Sequence, residues 1–141
     1  MSDFVLDNSV SMRWLFPSDK TADQRYAVSV LESISSATAL VPDLWHLEAA
    51  NVLVTAIAQG DIEPGNAERF TSQLRDLPIQ VDAHTATHTF GTTLALAKAY
   101  RLSSYDAAYL ELALRQDLPL ATLDKALIKA ARKSSIEVFS P

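Results

Sequence analysis

Two kinds of apolar segment alternate along the chain. Short runs read as buried strands: Phe4-Val5-Leu6, Ala39-Leu40-Val41 and Leu120-Ala121-Thr122. Pro78-Ile79-Gln80-Val81-Asp82 alternates as a strand does, and Ile136-Glu137-Val138-Phe139 reads as a last short one. Between them lie segments of helical period. Residues 22–35 carry the stripe Ala27, Val28, Val30, Leu31 and Ile34. Residues 8–15 form a short helix ended by Pro17, and residues 44–59 a long one that stops at Gly60. Pro64 fits the first turn of a helix running to about Arg75. Residues 85–100, 104–115 and 125–133 read as three more helices. Strands separated by helices require parallel crossovers. The expected fold is α/β, with a mostly parallel sheet of about five short strands covered by helices on both faces.

In such sheets, sites form outside the carboxyl ends of the strands. Asp7 ends the first apolar run and Asp124 follows the fourth, so both fall there. Glu48 lies inside the apolar run 44–58, and Asp106 opens the run 107–114, in helices able to lean over the same edge. Each acid also has a plainer explanation. Asp7 and Asp124 are suitable N-caps, as Asp43 is for the helix after Pro42, and Ser103-Ser104-Tyr105-Asp106 matches a capping box. Glu48, Asn51 and Thr55 share a face that is either the wet side of their helix or the lining of a polar site. Acids beside so much apolar surface need a cation, and a divalent metal ion compensates several at once.

The 141 residues suit one domain, 1–141, and 48% apolar content is enough for a core. The absence of cysteine excludes disulfides, a thiol nucleophile and thiolate metal sites. No basic flank and apolar stretch marks a signal peptide at Met1-Ser2-Asp3, and no apolar run approaches the ~20 residues of a membrane span. The expected location is therefore cytoplasmic. A net charge of −5 argues against a protein that coats nucleic acid. Yet Lys125, Lys129, Arg132 and Lys133 are four of the twelve basic residues. They form either a solvated face that complements the helix dipole or a phosphate-binding strip. His84 and His88 are spaced by four without the glutamate of a zinc-protease helix, and surface or capping roles suit them better. Three glycines leave no room for a phosphate loop, and no nucleophile elbow occurs.

Four pieces, in order, resemble the PIN domain, and specifically the VapC-type toxin of toxin–antitoxin pairs. They are Val5-Leu6-Asp7-Asn8-Ser9, the stretch from Pro42-Asp43 through Glu48 to Asn51-Val52-Leu53, Leu102-Ser103-Ser104-Tyr105-Asp106-Ala107-Ala108-Tyr109-Leu110, and Ala121-Thr122-Leu123-Asp124. The resemblance implies a Rossmann-like sheet and a metal-dependent endoribonuclease using Mg2+ or Mn2+. Asp7, Glu48, Asp106 and Asp124 then hold metal, supported by Ser9, Asn51, Ser103 and Thr122. It also implies a cognate antitoxin and an RNA substrate, and the apolar surfaces that would take the antitoxin also suit a homodimer, the commonest symmetric assembly. Ser103 stands where the family commonly has threonine. Lys125-Ala126-Leu127-Ile128-Lys129 carries no further acid, which leaves the number of metals open. Leu44, Trp45, Leu47, Val52 and Leu53 cannot all face one core, so some face a partner. Two rival readings stand beside this one: a non-catalytic PIN-like protein-binding module, and a metal-dependent nuclease acting on DNA.

Overall fold

The computed structural model of the protein describes residues 3–141. Four strands, β1 (Phe4–Leu6), β2 (Ala39–Val41), β3 (Ile79–Val81) and β4 (Leu120–Ala121), form a parallel sheet in the order β3-β2-β1-β4. Val5 sits opposite Leu40 on one side and Leu120 on the other. All three residues of β1 are fully buried, as befits a strand paired on both edges and covered on both faces.

Helix α1 (Asn8–Ser11) runs into a tight turn over Met12–Trp14, and α2 (Thr21–Ser33) leads to β2. Helices α3 (Trp45–Ala58) and α4 (Pro64–Arg75) lead to β3, and α5 (Thr85–His88), α6 (Leu94–Tyr100) and α7 (Ser104–Gln116) to β4. Helix α8 (Lys125–Lys133) follows β4. The chain steps outward from β1 to β3, then crosses back over the sheet to β4. Right-handed crossovers therefore put the first group of helices on one face and the second on the other. The reversal falls between β1 and β4, and at such a switch point a crevice opens beyond the strand ends. The main core joins β1 to Ala27 and Val30 of α2, Tyr109, Leu110 and Leu112 of α7, and Leu127 of α8. A smaller cluster of Met12, Ala49, Leu53, Ala67 and Phe70 fixes α3 and α4 to the turn after α1.

Three expectations need correction. The fifth strand is reduced to one bridge, Leu120 to Val138, closed by Leu120 N–H to the Glu137 carbonyl at 2.9 Å and Phe139 N–H to the Leu120 carbonyl at 2.8 Å. Its neighbour β4 is only two residues long and offers no longer ladder to pair with. The helix expected over 85–100 is broken: Gly91, at φ −103° and ψ −105°, kinks the segment Thr89–Thr93 between α5 and α6. Asp43 does not cap α3, whose N-cap position is Leu44 with no side-chain cap.

One ion-pair network was not foreseen. Arg115 on α7 grips Asp82, just after β3, with Nη1 at 3.1 Å and Nη2 at 2.6 Å from its two oxygens. The same guanidinium donates to Glu111 at 2.8 and 3.0 Å. It ties the edge strand to α7.

Candidate functional site

The ends of β1 and β4 are stitched together by side chains. Asp7 Oδ2 accepts from Ser9 Oγ at 2.6 Å and from Thr122 Oγ1 at 2.7 Å. Ser9 Oγ accepts from Leu123 N–H at 2.9 Å, and Thr122 Oγ1 from Asp124 N–H at 3.1 Å. Asp7 occupies the N-cap position of α1 yet makes no side-chain cap bond, so its carboxylate is committed to this seam. Both bonds fall on Oδ2, and among the described residues nothing donates to Oδ1.

Glu48 reaches the same place from α3. Its Oε1 accepts from the Tyr109 hydroxyl at 2.5 Å, and Asn8 Nδ2 holds the first turn of α3 through the Trp45 carbonyl at 2.9 Å. Asp106 sits in the first turn of α7, where its N–H donates to Ser103 Oγ at 3.1 Å. Asp124 caps α8 by accepting from Leu127 N–H at 2.9 Å.

Asp7, Glu48, Asp106 and Asp124 line one open cleft of about 600 Å³. Asn51 and Thr55 line it too, so the polar stripe of α3 forms a wall. Ser9 lines it directly, whereas Thr122 reaches it only through Asp7, and Ser103 lies outside. Lys125, Lys129, Arg132 and Lys133 are all exposed on α8, and none lines the cleft. None of His46, His84 and His88 lines it either.

Asn8 follows Asp7 in its motif as a hydrogen-bonding group without an assigned role, whereas Tyr109, Arg13 and Asp61 belong to the site or its supports and were not singled out from the sequence. Only Tyr109 carried a signal, lying three residues after Asp106 and so on its helical face.

The acids disturb one another. Burial pushes the Asp7 carboxyl up to about 6, the Ser9 and Thr122 hydrogen bonds oppose this, and the charges of Asp106 and Glu48 add to it. Glu48 is raised by burial, against its Tyr109 bond, with Asp106 contributing. Asp106 is raised by burial and by Asp124. The donors are all carboxylate oxygen, the chemistry that suits hard divalent cations. Among the described residues no three such groups close into a finished ligand cage. Asp7, Glu48 and Asp124 are each held by a neighbouring donor instead.

A pH dependence follows for the metal-free protein. The folded pKa of Asp7 is raised, so its stabilising contribution is full below the ordinary aspartate value of 3.8 and is lost as pH rises to about 6. The difference amounts to about 3 kcal/mol. Urea unfolding in EDTA should show wild type losing stability across that window relative to Asp7→Asn. Parallel curves for the two proteins would remove the strain assigned to Asp7.

The family model described as the PIN domain matches residues 4–133. Among solved structures, PAE2754 from Pyrobaculum aerophilum is similar with a TM-score of 0.63 and 21% identity, over 92% of this chain and 87% of that one. FitAcB from Neisseria gonorrhoeae is similar with a TM-score of 0.56 and 18% identity, over 100% of this chain and 98% of that one. At these identities the likeness is one of fold. No curated protein matches the chain significantly.

Proposed function

The chain belongs to the PIN domain family, whose members are in general nucleases, and from that premise we propose that it is a metal-dependent endoribonuclease, the toxin of a VapBC-type toxin–antitoxin pair. The observation that carries this reading is the meeting of four carboxylates in one cleft at the switch point, with Asp7 raised to about 6 by burial and its neighbours. A scaffold gains nothing from such repulsion, whereas a cation relieves it.

Asp7, Asp106 and Glu48 are the residues assigned to hold Mg2+ or Mn2+, with Asp124 reaching a second ion directly or through water. When bound, such an ion polarises a phosphoryl oxygen and lowers the pKa of water, which supplies the nucleophile for phosphodiester hydrolysis. Ser9 and Thr122 fix Asp7 through Oδ2 and leave Oδ1 to the cleft. Tyr109 orients Glu48 by donating to Oε1. Asn51, on the wall beside Glu48, orients water or substrate, and Ser103 fixes the helix turn that carries Asp106. The exposed strip Lys125, Lys129, Arg132 and Lys133 begins beside Asp124 and runs away along α8, where it meets more distant phosphates.

The antitoxin half of the reading rests on a second surface. An apolar groove of about 580 Å³ lies between α3 and α4, lined by Ala49, Leu53, Val54, Ile57 and Leu74. Val54, in its lining, is 64% exposed, which suits an amphipathic helix from a partner or a second copy of the chain. No helix among the described residues is long and apolar enough to cross a membrane. The reading places the protein in the cytoplasm with its RNA.

The test is purified, antitoxin-free protein incubated with total RNA and with DNA, in magnesium, manganese or EDTA, with new ends mapped. The expected result is metal-dependent cleavage of RNA, suppressed by the product of the neighbouring small reading frame, and a melting temperature raised by metal. Cleavage of DNA alone assigns the other nuclease. Intact nucleic acids together with melts indifferent to metal assign a binding module.

A further inference from the structure

Arg13 is the one cationic side chain among the described residues that line the acid cleft. Four candidate metal acids and Asp61 surround the same space, yet Arg13 pairs with none of them. Both ion pairs of the described residues belong to Arg115. The Arg13 guanidinium makes one weak bond, from Nη1 to the Phe16 carbonyl at 3.3 Å, so most of its donors are uncommitted.

Its backbone, by contrast, is fixed. The Arg13 carbonyl accepts from Gln24 Nε2 at 3.1 Å, and the next residue, Trp14, donates its indole N–H to the Ala27 carbonyl at 2.8 Å. A side chain with free donors on a rigid mount beside acids is arranged for a ligand that brings negative charge of its own.

Arg13 also lines a second depression, which shares Ser9, Arg13 and Asp124 with the acid cleft and continues past Ser18 and Lys20. Arg13 therefore stands on the rim between the two. Asp19 and Asp23 line this second depression as well, so it is not a general basic patch, and attraction there must be local.

We propose that Arg13 is a substrate-binding residue that grips a phosphate neighbouring the scissile one, as the strand passes from the acid cleft over the rim toward Lys20. The assignment takes its substrate class from the nuclease reading. A guanidinium suits the task because it offers paired donors to phosphate oxygens and stays charged. It also answers an electrostatic need: a phosphate next to the scissile one enters a field set by carboxylates, which a cation on the rim offsets.

The experiment measures binding of a short fluorescein-labelled single-stranded RNA of mixed sequence in magnesium, across a salt series. An Asp106→Asn background keeps the strand uncut. Arg13→Ala and Arg13→Gln are expected to weaken binding about tenfold, as loss of a charge-assisted contact does. They should reduce the salt slope by about 0.7, the value for one phosphate contact on a single strand. Arg13→Lys should restore the slope while recovering only part of the affinity. A merely structural role for Arg13 would lower the melting temperature and leave the slope alone. Unchanged affinity and slope in both neutral variants would overturn the assignment. Wild-type cleavage of the same RNA is measured alongside. Arg13-dependent binding without cleavage keeps the phosphate contact and rejects the nuclease reading, whereas cleavage with Arg13-independent binding does the reverse.

Discussion

On the nuclease reading, Asp7→Asn and Asp106→Asn are each expected to abolish RNA cleavage and leave a folded protein. Asparagine keeps the shape of the carboxylate and one acceptor oxygen, so Ser9 and Thr122 retain a partner at Asp7, and the Ser103 cap of α7 depends on a backbone N–H that does not change. What is lost is charge at the positions assigned to the metal. The expected drop in kcat/KM is at least about a thousandfold, on the order of 4 kcal/mol of transition-state stabilisation. In EDTA, Asp7→Asn should melt no lower than wild type, because the burial that raises Asp7 acts against its charged form. Single-turnover cleavage and thermal melts of both variants check this. Cleavage at wild-type rate in both would remove these acids from the chemistry.

Arg115→Met destabilises the fold by about 3 kcal/mol at neutral pH, through buried charge left without a partner. The side chains of Asp82 and Glu111 are each 5% exposed, and Arg115 is their shared counter-ion. Burial pushes the Asp82 carboxyl up, but the hydrogen bonds and charge of Arg115 overcome this and hold it below the ordinary range. With the folded pKa depressed, the contribution of Asp82 is present above the unfolded value and is lost as pH falls through the folded one. Wild type and variant should therefore draw together in acid. Asp82→Asn with Glu111→Gln, added to Arg115→Met, should recover part of the loss. A urea midpoint for Arg115→Met within about 0.5 kcal/mol of wild type contradicts the account.

The elements that carry the site were legible because their signals are local. Phe4-Val5-Leu6 is apolar throughout, as a doubly covered strand must be, and Gly60, at φ 77°, ends the turn after α3 as expected. The failures have two causes, a distant partner in one case and a single residue overriding a longer pattern in the other. Ile136-Glu137-Val138-Phe139 has the pattern of a strand, but its neighbour β4 ends after two residues. Residues 85–100 have the period of one helix, and a single glycine divides it.

Among the acids, capping does not preclude a place in the cleft: Asp124 caps α8 and still lines it. The sequence posed these as alternatives because it shows which donors are near in the chain and not where the remaining oxygen points. Arg13 and Asp82 gave no signal, since their meaning lies in what packs beside them.

The bond between Thr122 and Asp7 spans 115 residues. A chain under synthesis therefore exposes its first acid long before it acquires the hydroxyl that fixes it, the fourth strand that closes the crevice, or Asp124. On the nuclease reading, a nascent or truncated chain that stops short of β4 is harmless to the transcript that encodes it. On that reading, cutting capacity arrives only once β4 and Asp124 have been made, so the order of translation itself acts as a safety catch.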